Sequence, residues 1–250
     1  MSLNNFITRI MPIGDMDEKA WGHLYRSQNL EEQFPEYSQY VNEVMNQLSQ
    51  DLDSKGFDYR VFISASPVKN AYALAGGNII ITKGLIDVLE TEAELAAVLL
   101  HEMAHIELGH CLNLIRTEVL ANKIDYMESF EAFDFILRIF LQSGYSKNQE
   151  ADADDWSFAR LPLLGYHPMG MPRAFQRMIP GEQKVNQPEK GAFAEYFETH
   201  PDLQLRVETF EERAKGTMLA HPQGLYVGRE AYTIKIFNDS LAPLAYFYDQ

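Results

Sequence analysis

A single cysteine, Cys111, stands in the 250 residues. One thiol closes no disulfide within the chain and excludes metal clusters built on several cysteines, while leaving the redox compartment open. Basic residues are scarce too: 21 Lys and Arg face 36 Asp and Glu, for a formal net charge of −15. A surface of that sign repels phosphate backbones and anionic lipid, which disfavours nucleic acid and charged membranes as partners. Long apolar runs are missing as well. The best stretches, residues 93–100 and 135–141, are interrupted by Glu94 and Arg138 and fall short of the roughly 18 apolar residues of a membrane span, so no integral span is expected. Internal repeats and low-complexity segments are absent. The opening residues also lack the charged, apolar and small-residue succession of a secretory leader.

What is present is ample core-forming material, with 46% hydrophobic and 12% aromatic residues. Residues 15–54 place Leu24, Phe34, Tyr37, Val41, Val44, Met45, Leu48 and Leu52 mostly three or four apart, the helical spacing. From residue 57 the period changes to two, with Phe57, Tyr59, Val61 and Ile63 on one face of a strand. Residues 70–75 and 78–82 flank Gly76-Gly77 and read as a hairpin. One of its strands is a candidate edge onto which an extended peptide adds by main-chain hydrogen bonds. A short helix over 83–89 leads into one long helix over 91–111. Further helices are expected over 112–142, 146–164, 169–178 and 202–215, with a flexible loop over 180–191. The tail, 216–250, is aromatic and β-prone, notably over 224–237.

The stretch 91–111, TEAELAAVLLHEMAHIELGHC, organises the rest. Thr91 with Glu94 three residues on reads as a capping box, and the apolar residues that follow occupy nearly every side, so this helix belongs in a core. His101, Glu102 and His105 interrupt it, and polar groups buried there need compensation. A divalent metal supplies it. At about 100° per residue His105 lies about 40° around the axis from His101, one turn on, so both imidazoles reach one ion. Glu102 flanks them, placed to take a proton from a water without ligating. This is the H-E-x-x-H pattern of zinc peptidases.

A catalytic zinc takes a third protein ligand and leaves a position open. Leu108 and Cys111 stand where a metzincin has Gly and His, which rejects that class. His110, projected along a continuous helix, lies about 180° from His101 and faces away. Glu150 and Asp154 are four apart at the start of a later helix and share a face. In that spacing the Glu binds zinc and the Asp accepts the N–H of a ligand His, fixing its tautomer. Asp152 and Asp155 point elsewhere and suit the helix dipole.

With these residues in place, the chain resembles the gluzincin zinc metallopeptidase family that includes CAAX prenyl protease and the heat-shock protease HtpX. NAYALAGGNIIITKGL followed by EAELAAVLLHEMAH, then SKNQEADAD, GYHP and THPDLQLR, matches the family's motifs in order. Its soluble branch, similar to the periplasmic protease of outer-membrane assembly, fits best because no span is seen. The resemblance implies an α+β, mostly helical zincin-like fold with a small sheet beside the active helix. It also implies a metallopeptidase domain over 1–215, a C-terminal extension over 216–250, possibly β and packed on the domain, and one Zn²⁺ per chain. The expected substrate is an unfolded or misassembled polypeptide. The expected location is the periplasm or cell envelope after removal of a leader not present here, with the cytoplasm as alternative. Asn70, Ala71, Tyr72, Ala73 and Leu74 match the substrate strand. His200 matches a removable extra zinc ligand that holds the enzyme latent, and Arg206 matches an Arg that stabilises the oxyanion or orients substrate. Lys147 departs from the family's Arg, and neither a helical-repeat partner domain nor a counterpart of the tail is recognised. Two other readings stay open: a zinc-containing chaperone-like binding module with little turnover, and a structural metal site closed by four protein ligands.

Overall fold

Phe57, Tyr59, Val61 and Ile63 are all buried, as their alternation predicts. The structure, a computed structural model, describes residues 18, 19, 22, 23, 26, 34–50, 55–122, 144–179, 202–220 and 224–237. Strand β1 is Arg60–Ser64, β2 is Ala71–Leu74 and β3 is Asn78–Thr82. They form one sheet in the order β1-β3-β2, with β1 parallel and β2 antiparallel to β3. The hairpin is where Gly76-Gly77 predicts it: the last pair is Leu74 with Asn78, and both glycines hold positive φ, 77° and 87°.

Helix α1, Pro35–Gln50, buries Val41, Val44, Met45 and Leu48. It also closes one edge of the sheet. Asn42 Nδ2 donates to Val61 O at 2.8 Å and Val61 N donates to Asn42 Oδ1 at 2.9 Å, so a side-chain amide stands where another strand would pair. The opposite edge is β2. Helix α2, Lys83–Ile86, then turns the chain into α3, Glu92–Glu107, which is buried from Glu92 to Ile106.

Two details of α3 differ from expectation. Thr91 Oγ1 accepts from Glu94 N at 3.2 Å, a cap of about 1 kcal/mol, but the Glu94 carboxylate accepts from Glu90 N at 2.7 Å, one residue earlier than a reciprocal box requires. A complete box forms instead between Ser146 and Gln149. The second difference matters more. The single helix expected over 91–111 is two, because Gly109 takes a left-handed φ of 73° and α4, His110–Asn122, sets off afresh.

Helices α5, Lys147–Arg160, and α6, Gly170–Met178, pack against α3, and α7, Leu203–Ala220, packs against α6. The end of the described chain corrects the β-prone reading of 224–237. Tyr226 makes one bridge to Tyr166, but Arg229–Phe237 is a helix, α8. Tyr232 and Ile236, four apart, are buried while Ile234 is 55% exposed, so period 3.6 has won over the alternation of Tyr232, Ile234 and Ile236. Ala93 N and Glu92 N donate to Val227 O and Gly228 O, which pins this segment to the start of α3. Helix α7 runs without a break through residue 216.

The family's α+β architecture is therefore present: mostly helical, with a three-stranded mixed sheet beside α3. Among the described residues no helix is long and apolar enough to cross a membrane. His200, the loop over 180–191, the helix beyond residue 122 and the tail beyond 237 lie outside the described residues.

Candidate metal centre

Helix α3 carries His101, Glu102 and His105 into the interior, where they are 2%, 1% and 0% exposed. Such burial of three polar side chains demands a compensating partner, and α5 brings one across. Glu150, in the first turn of α5, reaches both rings. Glu150 Oε2 lies 3.5 Å from His101 Nε2, Glu150 Oε1 lies 3.4 Å from His105 Nε2, and the two Nε2 atoms are 3.2 Å apart. Tetrahedral zinc bonds to nitrogen and oxygen of about 2.0–2.1 Å set neighbouring donors about 3.3–3.4 Å apart, so the donor set fits one zinc ion. These three form the group of potential ligands found among the described residues, all within 4.8 Å of one another.

Behind the ligands stands a charge network. Asp154, one turn beyond Glu150, places Oδ1 at 3.0 Å from His101 Nδ1, the position that fixes Nε2 as the bare, metal-facing nitrogen. Arg206, from α7, donates through Nε and Nη2 to the two Asp154 oxygens, each at 2.7 Å, and its Nη1 lies 2.8 Å from Glu150 Oε2. The guanidinium also covers the Phe175 ring at 4.3 Å. Burial alone would push His101 down, but hydrogen bonds to Asp154 and Glu150 outweigh it and hold the imidazole up at about 9.

Comparison with known proteins supplies the deciding observation. The profile of Peptidase family M48 matches residues 35–214, which include every element of this centre. The chain belongs to peptidase family M48. Among its relatives, the metalloprotease LoiP of Escherichia coli K12 is 27% identical over 188 residues, 71% of this chain and 71% of that protein. The beta-barrel assembly-enhancing protease of Yersinia pestis is 26% identical over 204 residues, 75% of this chain and 41% of that protein. The metalloprotease YcaL of E. coli K12 is 23% identical over 187 residues, 71% of this chain and 70% of that one. An M48 peptidase is a metalloendopeptidase, and both histidines of the H-E-x-x-H pattern converge with Glu150 and Asp154 in this fold.

The remaining expectations meet the M48 fold unevenly. Arg206 was read as a group for the oxyanion or the substrate, yet its described contacts are the Asp154 and Glu150 carboxylates and the Phe175 ring, and it is 7% exposed. In the substrate strand, Thr82 N donates to Asn70 O at 3.0 Å. Antiparallel alternation then turns the main-chain groups of Asn70, Tyr72 and Leu74 toward β3 and those of Ala71 and Ala73 away from it, on a strand whose four residues are all buried. Ala71 N is occupied by the Asn70 side chain at 2.8 Å, and Cys111 Sγ lies 3.7 Å from Ala73 O. Asp155 is exposed and pairs with Arg213, away from the centre, and Lys147 pairs with Asp202 at 2.7 Å.

Two M48 site neighbours escaped the sequence reading. His110 does not face away: the turn at Gly109 swings it back until its Nδ1 lies 3.0 Å from His105 Nδ1. The helical projection failed because the helix does not continue, and the signal that would have shown this is the Leu-Gly pair before His110. Burial pushes His110 down to about 4, so it is neutral. Tyr145, which no periodicity marked, stacks on the His105 ring at 3.7 Å and 12°.

Proposed function

We propose that this chain is a zinc-dependent endopeptidase of the cell envelope that hydrolyses unfolded or misassembled polypeptides. The observation that supports it most is the convergence of His101, His105 and Glu150 at tetrahedral donor spacing, with the Glu102 carboxylate on the same buried helix. His101, His105 and Glu150 would hold the zinc, one ion per chain, which would supply a lowered water pKa and a Lewis acid for the scissile carbonyl. Glu102 takes the water's proton and passes it to the leaving amine. Asp154 keeps His101 in the metal-binding tautomer, and Arg206 keeps both carboxylates in place. Substrate is assigned to β2, the edge of the sheet that Asn42 does not close. His200 serves as a removable extra ligand that holds the site latent.

The envelope assignment leans on relatives named as beta-barrel assembly-enhancing proteases. The peptidase domain is assigned to residues 1–215 and the extension to 216–250, although α7 is continuous across that boundary, and the extension's residues 227 and 228 bond the start of α3. With casein as the unfolded substrate, the zinc-loaded protein cleaves it, 1,10-phenanthroline stops cleavage, and added zinc restores it. Casein bound but uncut, even after His200→Ala, points instead to a chaperone-like binding module. Cleavage that persists after complete metal removal overturns the assignment.

A further inference from the structure

The two imidazoles of the centre are backed by different chemistry. Behind His101 stands the Asp154 carboxylate, whereas behind His105 stands another imidazole, that of His110, 6% exposed, with the two Nδ1 atoms 3.0 Å apart. Two δ-nitrogens at that distance share one proton, which one ring donates and the other accepts. His105 turns Nε2 toward His101 Nε2 at 3.2 Å and Glu150 Oε1 at 3.4 Å, and a nitrogen that binds a cation there must be bare. Its proton is then on Nδ1. His110 therefore accepts at Nδ1 and carries its own proton on Nε2.

We propose that His110 is a positioning residue of the metal centre, a neutral acceptor that fixes the tautomer and orientation of His105. The inference rests on the zinc assignment above and adds a role outside the ligand set. Two features make the arrangement specific. The left-handed turn at Gly109, φ 73°, is what brings a side chain five positions on back over the preceding helix. Tyr145 lies flat on the His105 ring, its phenol 3.3 Å from Cys111 Sγ, so the ring is held on its face as well as at its δ-nitrogen. A neutral partner also suits the charge of the site. Glu102, Glu150 and Asp154 are buried there together, and a carboxylate at position 110 would add to them, whereas an imidazole orients His105 with no added charge.

The test compares wild type with His110→Asn, which keeps a side-chain oxygen acceptor, and His110→Leu, which has none. Zinc affinity is measured by competition with a chromophoric chelator, and the visible spectrum is recorded after cobalt substitution. His110→Leu is expected to bind zinc about 10–100-fold more weakly and to shift the cobalt bands, while His110→Asn recovers most of the affinity. A His110→Leu protein matching wild type in both readouts overturns the role of His110 and leaves the zinc assignment standing. Wild type that binds no metal overturns both. Long-range ¹H–¹⁵N spectra of the zinc-loaded wild type decide the matter without a variant: His105 is expected to be protonated at Nδ1 and His110 at Nε2, and a His110 protonated at Nδ1 refutes the proposal.

Discussion

Replacing Glu102 by Gln leaves zinc bound and removes peptide hydrolysis. The side chain is 1% exposed on the helix that carries both ligand imidazoles, and the amide has nearly the same shape, so packing is kept. What is lost is the ability to accept a proton. General-base groups contribute typically about 10²–10⁴-fold, and in the proposed mechanism one carboxylate serves both the attack and the departure of the amine, so a fall in kcat/KM of about 10³-fold or more is expected. Metal content by elemental measurement stays at one zinc per chain, because His101, His105 and Glu150 are untouched. A Glu102→Gln enzyme that cleaves casein at the wild-type rate contradicts the role given to Glu102.

Removing the Arg206 guanidinium is expected to act first on stability. Its donors meet Asp154 twice at 2.7 Å and Glu150 at 2.8 Å, in a site where both carboxylates are 2% exposed. Breaking a buried ion pair from one side strands the other charge and costs about 3–5 kcal/mol. At about 2–4 °C per kcal/mol for a chain of this size, Arg206→Ala should lower Tm by about 10 °C. Zinc should narrow the gap, since a divalent cation restores positive charge beside the same carboxylates. Arg206→Lys recovers only part, because an ammonium cannot make the two-pronged contact with Asp154. An Arg206→Ala protein that melts like wild type and loses only turnover would instead favour the oxyanion or substrate role that the family resemblance implies. Thermal melts with and without zinc separate the two.

How far the centre was legible in the sequence depends on how local each signal was. His101, Glu102 and His105 follow from one helix's period, and Glu150 with Asp154 from another's, so which residues share a face is legible in the sequence. The hairpin was equally plain, since Gly76-Gly77 permits a backbone that other residues resist. Arg206 is legible as a site residue, but its contacts with Asp154 and Glu150 are not. Whether a guanidinium points at substrate or at the Asp154 and Glu150 carboxylates of another helix is set by the docking of α7, which no local pattern encodes. His110 was misplaced because one glycine ends a helix whose apolar run appears to continue. The tail was misread for a related reason: Tyr232, Ile234 and Ile236 alternate like a strand, yet burial of residues 232 and 236 alone satisfies a short helix equally well.

The most direct measurement is anomalous scattering at the zinc edge from crystals of the metal-loaded protein. The account predicts one peak per chain, bonded to His101 Nε2, His105 Nε2 and a Glu150 carboxylate oxygen at about 2.0–2.2 Å. A protein that takes up no stoichiometric transition metal, or an ion bound away from these three side chains, would contradict it.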